Sequence, residues 1–566
     1  MRRTLFLTLG LIVMLPPLYP ATAAPVEPAL TPPPDMLVLP LNRTILRIQT
    51  ALQGTGDYLG SLDGRMTPAL ERAIRTFQKK NRLKVTGQPT QELARQIETR
   101  GRVKELLGKL RDVRERETEA ARKALLSNPE TRHLVKDSGP EKANPLRDTA
   151  ACFSDPTPKC LLDEAVENAK AVADEEQRDW AFSEILTTQA RVGLMADAMA
   201  SAERISDLRL IVVALRKMAG ARAQAGRFNE AYEAVEVIPD DRQKLEAVLT
   251  ILEAGAVRET QGRSVGPGMA LLVKRALKTA DEALTPFLKL RALARITTVL
   301  SGRGDREGAE DAISRMATLV EINGFGRDRD EALRLLATAY AQLGEVDKAR
   351  SVLGKARDKD ATPVLVAASR AMLDQGAADE AYDAAADISA VRYRSVALSR
   401  IAVTQWLRGE KQAAETTLTE AREAAAKIAF SFARSFAYAQ VVKALARTGR
   451  FDEAVAGSNE IDDAGLKARA LWEIAELQGK AGDPEGREKT ADLAWEASDS
   501  IASTLSRCWM FAELAEEHMR EGRTGQARSL LMTGIAVADA MGNAWSRARA
   551  LARLALTLQI LKGGES

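Results

Sequence analysis

Histidine is nearly absent: two residues in a chain of 566. Metal centres and proton relays built on imidazole need more than one well-placed ring, so most of that chemistry is excluded at once. Cysteine numbers three and aromatic residues make up 4%. So few strand-favouring rings argue against a sandwich or barrel. Charge of one sign is not in surplus either. Lys plus Arg total 81 against 78 for Asp plus Glu, a formal net charge of +3. A nucleic-acid partner is therefore not expected, because phosphate neutralisation needs a cationic excess. Beyond the N-terminus, no apolar run reaches the roughly 18 uncharged residues of a spanning helix. What the chain does have is 45% hydrophobic residues, enough for a substantial core. Its length suits several domains or one long repeat array.

The N-terminus carries Arg2 and Arg3, an apolar run from Thr4 to Leu15, a break at Pro16-Pro17 and a small-x-small site at Ala21-Thr22-Ala23. Residues 1–24 are expected to be a signal peptide, with a periplasmic mature protein; an uncleaved membrane anchor is the competing reading. Loss of Arg2 and Arg3 would bring the net charge from +3 to +1. Residues 25–40, with Pro25, Pro28, Pro32, Pro33, Pro34 and Pro40, read as a stiff linker. Cys152 and Cys160 bracket a short segment. They are a candidate disulfide in an oxidising compartment, with two separate thiols as the alternative. Cys508, among Leu505, Trp509 and Phe511, reads as a small core residue.

Residues 41–99 have the pattern of a compact module. Ile45, Ile48 and Leu52 fall at helical spacing. A glycine-rich turn, Gly54 to Gly64, follows, with Tyr58, Leu59 and Leu62 expected as buried anchors. Leu70, Ala73, Ile74 and Phe77 mark a second helix, Thr86-Gly87 a turn, and Thr90 the N-cap of a third helix carrying Leu93 and Ile97. The run Ile48-Gln49-x-x-Leu52, Gly56-Asp57-Tyr58-Leu59-Gly60-x-Leu62-Asp63-Gly64, Ala73-Ile74-x-x-Phe77-Gln78, Leu83 and Thr86-Gly87 resembles the peptidoglycan-binding-domain-like family of three-helix wall-binding modules. Thr67, Leu70 and Thr90 depart from that family's usual residues. The resemblance implies peptidoglycan as a partner and makes Tyr58, Asp63, Gly64, Gln78, Thr86 and Gly87 candidate binding residues.

Residues 100–160 read as a charged helical connector and linker, with an apolar stripe at Val103, Leu106, Leu107, Leu110 and Val113. From 161 to 566 the chain repeats. A glycine recurs at 193, 226, 262, 304, 344, 376, 409, 449, 482 and 522, usually followed five positions later by alanine, as in Gly226/Ala231 and Gly376/Ala381. Eleven and eight positions before the glycine stand large apolar residues, such as Leu215 and Met218 or Leu398 and Ile401, and a small residue comes next. That is one face of a helix made to approach a partner closely. The glycine is expected to end the helix in a left-handed cap. The unit Leu333-x-x-Leu336-Ala337-x-x-Tyr340-x-x-x-Gly344-x-x-x-x-Ala349 resembles the tetratricopeptide repeat family. The expected architecture is all-α: a small three-helix module and an α-solenoid of about ten helical hairpins, with the last helix, Trp545 to Leu561, capping the array.

Such arrays offer a groove to protein or peptide partners. Arg400, Trp406, Arg434, Lys443, Trp472, Arg507 and Trp509 are the candidates to line it. No catalytic set, metal set or cofactor motif stands out. His133 falls in the charged connector, and His518 holds a packing position on a first helix. The expected protein is a peptidoglycan-associated adaptor that is not an enzyme. A pure protein–protein scaffold and a cell-wall hydrolase accessory or activator are the alternatives.

Overall fold

The computed structural model describes residues 42–135, 141–147, 149–283, 285–358 and 360–564. The expected signal peptide and proline-rich linker lie outside them. Among the described residues the secondary structure is helical throughout, with 26 α-helices and three short 3-10 turns. None of these helices is long and apolar enough to cross a membrane. The chain divides into two compact units, one ending at Val113 and one beginning at Arg114.

The first unit holds α1 (Arg43–Gly54), α2 (Pro68–Lys80) and the first part of α3 (Gln91–Ser127). Asn42 and Thr67 cap α1 and α2 by accepting from backbone N–H groups, and Pro68 occupies the first turn of α2, where a missing N–H costs nothing. Ile48, Leu52, Leu70, Ile74 and Ile97, all fully buried, form a core separate from that of the second unit. Two buried glutamines hold the loops to this core. Gln49 donates from Nε2 to Asp63 Oδ1 and to the Arg65 carbonyl, both at 3.0 Å, and accepts from the Gly64 N–H at 2.8 Å. Gln78 accepts from the N–H groups of Thr86 and Gly87 at 2.9 Å and donates to Thr86 Oγ1 at 3.0 Å. One expectation fails here. Tyr58 is buried, but Leu59 is 91% and Leu62 42% exposed. Gln49 already ties the loop down from beneath, and Tyr58 alone fills the space above the helices.

In the second unit, α4 (Ala150–Ser154) and α5 (Pro158–Lys170) precede the hairpins. The first five pairs are α6 and α7 (Glu175–Val192, Met195–Ala202), α8 and α9 (Leu208–Gln224, Phe228–Glu236), α10 and α11 (Asp241–Thr260, Met269–Asp281), α12 and α13 (Pro286–Gly302, Arg306–Ile322), and α14 and α15 (Arg329–Gln342, Val346–Leu353). The next five are α16 and α17 (Thr362–Asp374, Ala378–Ala386), α18 and α19 (Val391–Leu407, Lys411–Ala426), α20 and α21 (Ser431–Arg447, Phe451–Gly457), α22 and α23 (Ala464–Lys480, Pro484–Asp499), and α24 and α25 (Thr504–Arg520, Thr524–Asp539). A further first-type helix, α26 (Ala544–Gly564), is followed by no second helix among the described residues.

The periodic residues explain this order. All ten repeat glycines have positive φ, from 67° to 95°, so each turns the chain out of a first helix at no steric cost. The alanines that follow, from Ala198 to Ala527, are fully buried, which lets the second helix lie close against the first. Each first helix packs on its own second helix and on the first helices before and after it. First helices thus form a continuous inner layer, and second helices an outer one.

That layer has no end. α26 was expected to cap the array, yet it packs on α24 and α25 on one side and on α5 and α6 on the other. α5 stands toward α26 as every second helix stands toward its first helix. The eleventh hairpin is therefore made from the two ends of the array. Leu551, Leu554, Leu558 and Leu561 of α26 and Leu161 and Leu162 of α5 are buried there, each contributing about 1.5–3 kcal/mol. Across the seam, Arg549 Nε and Nη2 donate to Glu184 Oε2 and Oε1 at 2.7 and 2.8 Å. The guanidinium lies over Trp509 and Trp545, 4.8 and 4.4 Å from their ring centroids. Cys152 and Cys160 are joined as a disulfide, with Cα atoms 5.7 Å apart, linking α4 to the start of α5. Ala121 and Leu125 of α3 and the following Leu134 are buried against the array core, within the segment whose charge marks a connector.

Gln49→Ala is expected to destabilise the module by about 2–3 kcal/mol, because the buried Gly64 N–H loses its acceptor. Hydrogen exchange of the Gly64 and Arg65 amides would report it. Arg549→Ala should cost the second unit about 2–3 kcal/mol in urea unfolding by leaving Glu184 without its bidentate partner. Arg549→Lys should recover little, since one ammonium cannot serve both oxygens.

Candidate functional site

Four of the six candidate wall-binding residues are turned inward. Tyr58 is 4% exposed and its hydroxyl donates to the Ser61 carbonyl at 3.3 Å. Gln78 and Gly87 are buried, and Thr86 is exposed but bonded to Gln78. Gly64 sits at φ 68°, buried over Gln49. Asp63 is half-buried. The Gln49 amide, then the Arg65 N–H, hold its carboxyl below the ordinary range. The structure thus gathers these residues into two loop-fixing clusters, one at Gln49 and one at Gln78. Asp63 and Thr86 are the two that keep some access to solvent.

A groove lies elsewhere on the module, between α1 and α3. Its volume is about 750 Å³ and none of the six candidates lines it. Its apolar floor comes from Leu46, Ala51 and Gly101, and Thr50, Thr55 and Gly54 lie along α1 and its end. Arg47 donates to Glu98 through Nε and Nη2, both at 2.8 Å, and that contact holds the Glu98 carboxyl low. Arg102 and Glu105 add a second pair of opposite charges to the lining. The groove therefore offers an apolar strip edged by both signs of charge. Small residues, Thr50, Ala51, Gly54 and Thr55 on one side and Gly101 of α3 on the other, leave the space, and they follow no motif in the sequence. The module's two aromatic rings, Tyr58 and Phe77, are both buried, so neither is available to stack on a sugar. On α3 beyond the groove, Val103, Leu106, Leu107, Leu110 and Val113 are 40–64% exposed.

The seven groove candidates of the array lie on α18, α20, α22 and α24, and most are committed within the fold. Arg434 pairs with Asp462 at 2.9 Å, Lys443 with Glu473 at 2.8 Å and Arg507 with Asp499 at 3.3 Å. Trp472 meets Trp495 edge-on at 5.2 Å, and Trp509 lies under Arg549. Trp406 carries Lys411 over its face, whereas Arg400 is exposed.

The remaining titratable candidates are also accounted for. Burial, then the charge of Arg523, pulls the His518 pKa down to about 4, and Nδ1 accepts from Arg523 Nε at 2.8 Å. Burial pushes the Cys508 thiol up to about 12, and it donates to the Gly534 carbonyl at 3.3 Å. His133 lies 3.7 Å from Glu203. Among the described residues no three His, Cys, Asp or Glu side chains converge as a metal site would require.

Comparison with known proteins adds the following. No curated protein matches the chain. Among solved structures, the chain is similar to a circular tandem repeat protein with novel repeat topology and enhanced subunit contact surfaces, at 15% identity and a TM-score of 0.15, over 80% of this chain and 95% of that one. Residues 43–97, which span α1, α2 and the start of α3, match the model of the family described as "Putative peptidoglycan binding domain".

Proposed function

We propose that this protein is an exported, periplasmic adaptor: its N-terminal module docks on the peptide part of peptidoglycan, and its helical array works beside the wall as a scaffold for protein partners. The observation that carries the reading is the family match over residues 43–97, on a module with its own core. The groove between α1 and α3 suits a stem peptide better than a sugar chain. It pairs apolar floor with charges of both signs, which match the amines and carboxylates of a short peptide, and the module has no exposed ring for sugar stacking. The basic and apolar N-terminal pattern around Arg2, Arg3 and Ala21-Thr22-Ala23 supports export. The continuous layers of packed helices support a scaffold, since repeat arrays present extended surfaces.

Full-length protein is expected to sediment with purified sacculi. Thr50→Trp, which fills the groove from an exposed position on α1, should reduce the bound fraction about tenfold, equivalent to roughly 1.4 kcal/mol. Leu59→Asp, on the glycine-rich loop, should leave sedimentation unchanged. Equal binding by wild type and Thr50→Trp would move the site away from the groove. A chain that stays in the supernatant would favour the pure protein scaffold.

A further inference from the structure

The seam that closes the array also creates a cavity, of about 770 Å³, on the inner layer. Its lining comes from both ends of the repeat region: Arg191 on α6, Arg258 and Arg263 at the end of α10, and Glu516 and Arg520 on α24, with Ile560 of α26 and Val257 as apolar wall. The two carboxylates at the cavity are already used. Glu516 accepts from Arg553 at 2.5 Å and from Thr557 Oγ1 at 2.8 Å. Glu253 accepts from Arg295 at 2.7 Å. The arginines are not matched in return. Among the described residues, Arg191, Arg263 and Arg520 have no hydrogen-bond or ion-pair partner for their side chains, and Arg258 donates only to the carbonyls of Ser264 and Gln224.

Cations are favoured at helix C-termini, and that alone accounts for one basic residue in a last turn. It does not account for this cluster. α14 and α16 end without a basic residue, and the arginines that cap α12 and α18, Arg303 and Arg408, hold Glu259 and the Gly376 carbonyl. Where α20 and α22 end in Arg447 and Lys480, those side chains hold carboxylates, Glu473 and Glu476. At the seam, by contrast, the unmatched guanidiniums of Arg191, Arg263 and Arg520 line one cavity. Burial lowers the Arg191 pKa; Glu516 opposes that, and Arg553 and Arg263 press it further down. A half-buried cation crowded by other cations is a cost unless something neutralises it.

We propose that the seam cavity is a binding site for a small polyanion, a ligand carrying two or more carboxylate or phosphate groups, held by Arg191, Arg258, Arg263 and Arg520. Guanidinium forks bind both kinds of oxyanion in two-point fashion. This inference does not depend on wall binding by the module. Because the arginines come from opposite ends of the array, the site exists only in the closed form, and a bound anion would stabilise the closure.

The test uses the full-length chain, with citrate as the carboxylate probe and inorganic pyrophosphate as the phosphate probe, at ionic strength held constant with sodium chloride. Calorimetric titration and thermal unfolding are expected to show saturable binding of at least one probe. Binding of citrate alone assigns carboxylates, and of pyrophosphate alone phosphates. Arg191→Gln and Arg520→Gln should each weaken binding at least tenfold, whereas Lys489→Gln, at an exposed pair with Glu485, should not. Without probe, Arg191→Gln should melt no lower than wild type, because it removes a cation that lacks a partner. Absence of saturable binding by both probes, unchanged affinity in Arg191→Gln, or a lower melting point for that variant without probe would overturn the proposal.

Discussion

The second unit depends on one pairing, that of α26 with α5. A first helix of this repeat is apolar on more than one side: it needs a second helix behind it and a first helix on either flank. Among the described residues, no second helix follows α26 and no first helix of the repeat precedes α5. Each would leave a row of leucines in water, an exposed patch of the kind that drives association. Packed together they remove both deficits. The bidentate contact of Arg549 with Glu184, over two indole rings, then ties α26 to α6 across the seam.

Much of the rest was legible in the sequence because it is periodic. Glycines at 32 to 42 residue intervals reported a backbone conformation that other residues adopt only with strain, and the structure places every one of them there. The buried alanines five positions on reported close helix approach. The closure was not legible. It rests on complementarity between two segments that occur once each, nearly four hundred residues apart, and such complementarity leaves no recurring spacing. Charge density misled in a similar way at the end of α3, where Ala121 and Leu125 are buried on one side of a helix whose other sides are charged.

The module shows a different limit. Its fold could be read from Ile48, Leu52, Ile74 and Phe77, which are core residues in the sequence pattern and in the structure. Its candidate site could not. Residues recognisable by motif, such as Gln49, Gln78 and Gly87, are those whose backbone or hydrogen-bond demands are strict, so they mark how the loops are held. The groove between α1 and α3 is lined by small and ordinary side chains. These are identified by the space they leave and carry no distinctive pattern along the chain.

The eleventh hairpin also sets an order of events during synthesis. α5 leaves the ribosome nearly four hundred residues before α26, and contacts of that separation are the slowest to form. Throughout that interval the ten hairpins can stack on their neighbours, and α5 can pack on α6, but Leu161 and Leu162 lack α26. Only when α26 has been made can the ring close, so closure waits on the segment Ala544–Gly564.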